Sequence, residues 1–334
     1  MPGDFRLYPK VELHLHLDCS LSYDVVRTIN PAISEETYRH DFIAPAKCTN
    51  LVDFLTRAPH AVALMQTEDQ LRLVVDDVFE QLRRDHLLYA EIRFAPFLHT
   101  DKGLSPEQVV EAVEAATAQA SAATGIEARL ILCTLRHYSA EQSLQTAKLV
   151  ERFYGTHVAA LDLAGDEAGF PITAHIAAYQ YAAERNLPRT AHAGEASGPQ
   201  SVWETLRFLH PSRIGHGVRS SEDAALVEHL KKERIHLEVC PTSNLQTNMY
   251  DTYSDHPINA LYKTGLSVSV NTDTRTITDV TLTQEYEKLH QFFGWEKQDF
   301  LHCNLEAIRA SFLPESRKQE LAAQLREVYH AMKK

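Results

Sequence analysis

Short apolar runs alternate with longer amphipathic segments along most of the chain. Eight of the short runs predict β-strands, at positions 11–16, 89–94, 130–133, 159–163, 190–193, 213–216, 236–239 and 266–271. The amphipathic segments between them predict helices, among them 106–123, 172–185, 201–209 and 221–232. Because strands that alternate with helices form parallel βα units, the pattern predicts an α/β fold, a (β/α)8 TIM barrel.

Additional helices are predicted between the first two strands. They cover 34–40, 51–64 and 68–84, within an insertion at about 30–85 that would form a lid over the barrel. Leu51, Phe54 and Leu55 share one face of the second of these helices. This face would either contact a substrate or pack on the barrel as core.

The C-terminal part of the chain also predicts helices. They cover about 304–334, break at Pro314 and flank the barrel. The sequence contains no internal repeat and no low-complexity segment. We therefore expect residues 1–334 to form a single domain.

Composition narrows the class of protein and its partners. The chain has 334 residues, of which 44% are hydrophobic and 23% charged, as in an ordinary soluble protein. No apolar run approaches the ~18 residues that span a membrane, and the N-terminus has no apolar core of signal-peptide length. The net charge of −12 argues against a nucleic-acid partner. The five cysteines are scattered, with no Cys-x-x-Cys pair, which favours a reducing, cytoplasmic location.

A pair of histidines at the end of the first predicted strand is the first chemical signal. His14 and His16 are separated by one residue, so in a strand both imidazoles point to the same face. That spacing suits two ligands of one metal ion. Taken alone, the pair could also be a coincidence of surface composition.

Further metal-binding side chains follow other predicted strands. His192 lies at the end of strand five, His216 ends strand six, and Asp273 follows strand eight. Residues at the carboxyl ends of barrel strands meet at one rim, where barrel enzymes have their active sites. Imidazoles with one carboxylate suit zinc and leave room for a water. We therefore expect one zinc ion (Zn2+) per chain, which would supply hydroxide at neutral pH.

Two residues near this rim are candidates for acid–base catalysis. Glu195 lies three residues beyond His192, where a carboxyl that does not bind the metal can carry a proton. His216 is either a fourth histidine ligand or a residue that orients the hydroxide. The second role is favoured because Asp273 can complete the coordination of the metal. The remaining alternative is that His216 is an ordinary core histidine.

Eight short motifs resemble those of a known family, in the same order and over nearly the whole chain. They lie at 9–18 (PKVELHLHLD), 89–96 (YAEIRFAP), 162–167 (DLAGDE), 192–195 (HAGE), 215–217 (GHG), 240–243 (CPTS), 271–273 (NTD) and 310–314 (ASFLP). This ordered set resembles the adenosine deaminase family within the metal-dependent amidohydrolase-like barrels.

The resemblance implies a role for each candidate residue. The ligands of one zinc would be His14, His16, His192 and Asp273, and hydroxide would attack C6 of a purine. Glu195 would protonate ring N1, and His216 and Asp273 would position the hydroxide. The peptide at Gly165 would face N3, and ammonia would leave.

The resemblance also addresses the substrate. The aspartate at position 18 resembles that of nucleoside deaminases, in which this residue hydrogen-bonds the ribose. By the same resemblance, His16 would also contact the substrate. Asp18 could instead be a turn residue that ends the first strand. Adenosine, with 2′-deoxyadenosine, is therefore expected over adenine or AMP. The reaction would yield inosine and ammonia in purine salvage. The oligomeric state is left open between monomer and dimer.

Two positions depart from the family pattern. Cys19 replaces a glycine, and Thr274 replaces a second aspartate after Asp273. The Thr274 hydroxyl can still donate to an unprotonated N7. Arg275 follows, so contacts on this side could differ and favour a modified, for instance 5′-substituted, adenosine.

Two other classes of protein fit the sequence less well. A binuclear amidohydrolase usually has a bridging lysine after strand four, and 159–169 contains none. A non-catalytic nucleoside-binding relative would have little need for Glu195 together with all four ligands.

Overall fold

The computed structural model describes residues 4–332 and shows a barrel of eight parallel strands. The strands are Lys10–His16 (β1), Leu87–Phe94 (β2), Glu127–Leu135 (β3), Val158–Ala164 (β4), Thr190–Ala193 (β5), Arg213–His216 (β6), His236–Val239 (β7) and Val268–Val270 (β8). Strands β1 to β4 pair in order, as do β5 to β8. Parallel bridges from Leu161 to Arg189 and from Leu15 to Asp273 join the two sheets. The predicted (β/α)8 TIM barrel is confirmed.

Helices connect the strands and surround the barrel. They are Tyr23–Ile29 (α1), Glu35–Asp41 (α2), Leu51–Leu55 (α3), Ala58–Val62 (α4), Glu68–Arg84 (α5), Pro106–Thr124 (α6), Ala140–Phe153 (α7), Ile176–Glu184 (α8), Pro199–Leu209 (α9), Ala224–Glu233 (α10), Pro241–Gln246 (α11), Ile258–Lys263 (α12), Arg275–Thr278 (α13), Leu282–Phe293 (α14), Lys297–Ala310 (α15) and Glu315–Ala331 (α16). Local sequence sets several ends: Ser105 and Gln108 form a capping box at the start of α6, and Gly125 ends it with φ of 74°.

Several predicted helix boundaries were wrong. The predicted helix at 51–64 is two short helices, because Pro59 lacks an N–H and suits the first turn of a new helix. The predicted helix at 172–185 opens with a 3-10 turn, Ile172–His175. The first C-terminal helix begins before 304, at Lys297, where Glu296 caps it. The predicted break at Pro314 is present, and positions 333–334 lie outside the described residues.

The helices α3 and α4 pack against the carboxyl end of the barrel. Leu51 and Phe54 of α3 are buried in one apolar cluster with Cys19 and Ile277, and Leu55 packs against it while partly exposed. The predicted face of Leu51, Phe54 and Leu55 therefore packs as part of the protein core. Movement of this region as a lid stays a prediction. Among residues 4–332, no helix combines the length and apolarity needed to cross a membrane.

Candidate metal centre and active site

Four buried side chains converge at the carboxyl ends of the strands. Ligand atoms of His14, His192, His216 and Asp273 all lie within 4.8 Å of one another. His16 lies beside this cluster, with its Nε2 3.2 Å from Nε2 of His192 and 3.5 Å from Oδ1 of Asp273. The structure therefore brings together all five residues that the sequence placed at one rim.

Backbone geometry explains why Asp273 reaches the cluster. Its N–H donates to the carbonyl of His14 at 3.0 Å, and its own carbonyl accepts from the N–H of His16 at 2.7 Å. Asp273 also has φ of 67°, a left-handed conformation that is uncommon for residues other than glycine. The last strand is thus bonded to the first at the point where the two histidines lie.

The imidazoles pack closely around a glycine on β6. A Cβ at Gly215 would lie 3.0 Å from Cε1 of His14 and 3.2 Å from Cγ of His192. Both distances are tighter than most Cβ contacts, so the imidazoles would have to move by a few tenths of an ångström to accept a larger residue. The motif at 215–217 therefore contributes space as well as His216.

Buried carboxylates orient two of the histidines. Nδ1 of His14 lies 2.9 Å from Oε2 of Glu238, and Nδ1 of His192 lies 3.2 Å from Oδ2 of Asp162. Because a carboxylate accepts, both Nδ1 atoms donate, and each Nε2 presents a lone pair to the cluster. Nε2 of His14 is buried and has no hydrogen-bond partner among the described residues. Imidazole nitrogens oriented in this way, together with a carboxylate, fit zinc.

Two arginines inside the barrel hold those carboxylates. Arg93 donates to Asp162 at 2.9 Å and to Glu238 at 2.6 Å, and Arg213 donates to Glu238 at 2.6 Å and to Glu91 at 2.5 Å. Burial disfavours the charged form of Glu238, yet Arg93 and Arg213 hold the pKa of its carboxyl well below the usual value. The sequence interpretation missed this network, although charged residues within apolar strands were a signal for it.

Glu195 is buried beside His216, at 3.6 Å between Oε1 and Nε2. Burial, followed by the negative charges of Asp273 and Glu167, raises the pKa of Glu195 well above its usual value. The surroundings of Glu195 therefore favour its protonated form, in which a carboxyl can act as an acid.

Glu167, which the sequence interpretation did not assign, holds the turn that carries Glu195. Its carboxylate accepts from the backbone N–H groups of residues 194–197 at 2.7 to 3.0 Å, and from the hydroxyl of Ser201 at 2.5 Å. The turn also needs a glycine at 194, where φ is 66° and a Cβ would lie 2.5 Å from Val202. The position of Glu195 is thus fixed through its backbone.

Asp273 is also held by neighbouring side chains. Ser243 donates to its Oδ2 at 2.7 Å, while Oδ1 lies 3.2 Å from Nε2 of His14. Burial disfavours its charged form, but the close contact with His14 and the other nearby histidines hold its pKa well below the usual value. Asp273 is therefore ionised at neutral pH.

Asp18 lies at the edge of the cluster, with its Oδ1 3.9 Å from Nδ1 of His16. Its Oδ2 accepts from the N–H of Ala95 at 3.2 Å. Burial raises the pKa of Asp18 to about 6. Cys19 next to it is buried and packs with α3 rather than lying in solvent.

Two loop residues near the centre were candidates for base contacts. Gly165 follows β4 with φ of 99°. The hydroxyl of Thr274 is buried and lacks a hydrogen-bond partner within the described part of the chain. The expectation that Arg275 alters substrate contacts is not supported, because Nη2 of its guanidinium donates to Glu12 at 2.8 Å and to Asp85 at 3.1 Å.

Comparison with known proteins identifies the family. Residues 9–328 match the family model for adenosine deaminase. An adenosine deaminase of Lacticaseibacillus paracasei is 36% identical over 326 residues, covering 96% of this chain and 96% of that protein. One of Clostridium acetobutylicum is 33% identical over 324 residues, covering 95% and 97%.

Solved structures agree with the sequence relatives. An adenine deaminase from Arthrobacter aurescens has a TM-score of 0.90 and 29% identity, covering 97% of this chain and 100% of that chain. The Arabidopsis protein ADAL, crystallised with IMP, has a TM-score of 0.85 and 25% identity, covering 98% and 97%. The chain therefore belongs to the adenosine deaminase family of hydrolytic deaminases.

Proposed function

We propose that this protein is a zinc-dependent adenosine deaminase, which converts adenosine and 2′-deoxyadenosine to the corresponding inosines and ammonia. The observation that carries the proposal is a buried carboxyl, Glu195, 3.6 Å from His216 and beside a buried cluster of imidazoles and one carboxylate. Deamination of an aminopurine needs these two components, a metal-activated nucleophile and a proton donor. The proposed ligands of one zinc ion are His14, His16, His192 and Asp273.

Each side chain would contribute one step of the reaction. Zinc, when bound, lowers the pKa of a water to ~7 and so supplies hydroxide at neutral pH. Glu195 donates its proton to ring N1, which makes C6 electrophilic. Asp273 and His216 orient the nucleophile towards C6. As the C6–O bond forms, the O–H proton of the nucleophile passes to the amino group, the C6–N bond breaks and ammonia leaves. The other proton of the consumed water restores that of Glu195. Gly165 would bind N3 through its backbone, and Thr274 would donate to N7.

The surroundings of Asp18 favour a nucleoside over a nucleotide. Its carboxylate can accept a bond from a ribose hydroxyl, whereas it would repel the negative charge of a 5′-phosphate. Leu51, Phe54 and Leu55 would close the apolar side of the same pocket. The five cysteines are buried and unpaired, which supports a reducing, cytoplasmic location. The proposed reaction itself would give the protein a place in purine salvage.

Adenine is the second candidate substrate, because the Arthrobacter aurescens neighbour is an adenine deaminase. Protein loaded with one zinc per chain should be incubated with adenosine, 2′-deoxyadenosine, adenine, AMP and 5′-substituted adenosines, with ammonia release as the readout. We expect the highest kcat/KM for adenosine. Preference for adenine or a 5′-substituted nucleoside would instead establish the corresponding alternative.

A further inference from the structure

The role of His216 depends on which of its ring nitrogens carries the proton. A neutral imidazole has one N–H and one lone pair. A lone pair on Nε2 would make His216 a metal ligand, whereas an N–H there would make it a hydrogen-bond donor. The structure contains a chain of hydrogen bonds that decides between the two forms.

The chain starts at a backbone amide of α12. The N–H of Ile258 lies 3.2 Å from Nδ1 of His256, and since an amide N–H can only donate, Nδ1 must accept. Burial lowers the pKa of His256 to about 3, so its ring is neutral and its single proton is on Nε2. That Nε2 lies 3.2 Å from Oδ1 of Asn244, to which it donates.

The chain continues through the amide of Asn244. With Oδ1 accepting from His256, the amide nitrogen Nδ2 faces Nδ1 of His216 at 3.1 Å. An amide NH2 is a donor, so Nδ1 of His216 accepts and its proton is on Nε2. All three side chains are at most 2% exposed, which keeps water from competing for these bonds.

We propose that Asn244 and His256 are positioning residues that fix His216 in the tautomer with its proton on Nε2. His216 then donates a hydrogen bond into the site and does not bind zinc through Nε2. The proposal deepens the function proposed above and rests on it in one respect, namely that the acceptor is the oxygen of the nucleophile.

The isosteric variant Asn244→Asp tests this chain. A carboxylate can only accept, so Nδ1 of His216 must then carry a proton to keep its bond. We expect the 15N NMR signals of the His216 ring in metal-free protein, assigned with His216→Gln, to change from an Nε2-protonated to an Nδ1-protonated ring. We also expect kcat of the zinc-loaded variant to fall about 10²- to 10⁴-fold, as for a catalytic histidine held in the wrong tautomer, with KM changed less.

A matched pair at position 256 separates tautomer control from packing. His256→Gln retains a side-chain N–H that can donate to Asn244, whereas His256→Leu leaves the amide of Asn244 free to rotate. We expect the glutamine variant to keep most of kcat and the Nε2-protonated signal of His216. The leucine variant should lose both.

Asn304→Asp controls for the cost of burying a carboxylate. Asn304 is buried at the other end of the barrel, where it accepts from the N–H of Val11 at 2.9 Å. This variant should lower the melting temperature but leave the His216 signals and kcat per folded molecule unchanged.

An Nδ1-protonated His216 in the wild type, or unchanged signals in Asn244→Asp, would overturn the tautomer proposal. Failure of the zinc-loaded wild type to deaminate adenosine would instead overturn the proposed function.

Discussion

Glu195 shows how its neighbours set the role of a single residue. Burial and the charges of Asp273 and Glu167 favour its neutral form, whereas Asp273, beside the histidines, stays ionised. The pKa values of two carboxyl groups in one site are thus shifted in opposite directions. This difference suits the two groups to different roles, because an ionised carboxylate can bind a metal and a protonated carboxyl can donate a proton.

Replacement of Glu195 by glutamine should therefore separate catalysis from binding. Glu195→Gln keeps the shape of the side chain but cannot transfer an acidic proton to the purine. We expect a loss of kcat of about 10²- to 10⁴-fold, with zinc content and adenosine binding unchanged, measured by metal analysis and calorimetry. Loss of zinc would show that Glu195 is a ligand. His16→Ala is the contrasting variant, which should lose zinc and activity together.

At the scale of elements, the catalytic side chains are placed by turns and strand ends. The turn at 194–197 is held by one carboxylate, Glu167, which accepts from five donors. Asp273 is placed by its backbone bonds to β1. Such placement matters because a shift of about 1 Å in a catalytic group can lower the rate about 10²-fold.

We therefore expect Glu167→Gln to act through Glu195. The amide NH2 of glutamine would face backbone N–H groups, so the turn should shift and kcat should fall about 10²-fold. In a double-mutant cycle the change should add little to Glu195→Gln, because both remove the same proton transfer.

Asp223→Asn is a matched control for Glu167→Gln. Asp223 accepts from backbone N–H groups at the start of α10, at 2.9 and 3.3 Å. Its replacement should cost stability but leave kcat unchanged. Full additivity of Glu167→Gln with Glu195→Gln would contradict the proposed coupling.

The sequence predicted elements better than it predicted their contacts. The bounds of β5, β6 and β7 agree with the predicted 190–193, 213–216 and 236–239, and the residues at strand ends meet as expected. Alternation along a strand indicates which face is buried, but not which side chains from different strands meet inside the barrel. For that reason neither the Arg93 network nor the bond between Asn244 and His216 was predicted.

At the scale of the whole molecule, the interior contains histidines as well as carboxylates and arginines. His236 of β7 is fully buried between two serines, with Nδ1 2.7 Å from the hydroxyl of Ser267 and Nε2 2.9 Å from that of Ser269. Burial lowers the pKa of His236 to about 3, against about 6.5 in an unfolded chain. Between these two pKa values the unfolded chain binds a proton at His236, whereas the folded protein does not.

This difference predicts a pH dependence of stability with a definite sign. Below about pH 6.5 the unfolded chain binds a proton at His236 that the folded chain does not, so the free energy of unfolding falls as the pH falls towards 3. One such group contributes a slope of about 1.4 kcal/mol per pH unit. His236→Gln, which cannot titrate, should show a shallower slope between pH 5.5 and 4.5 (about one proton less) in urea unfolding experiments. Above pH 7 the slope of the variant should equal that of the wild type. If the two proteins also had equal slopes between pH 5.5 and 4.5, His236 would be protonated in the folded state.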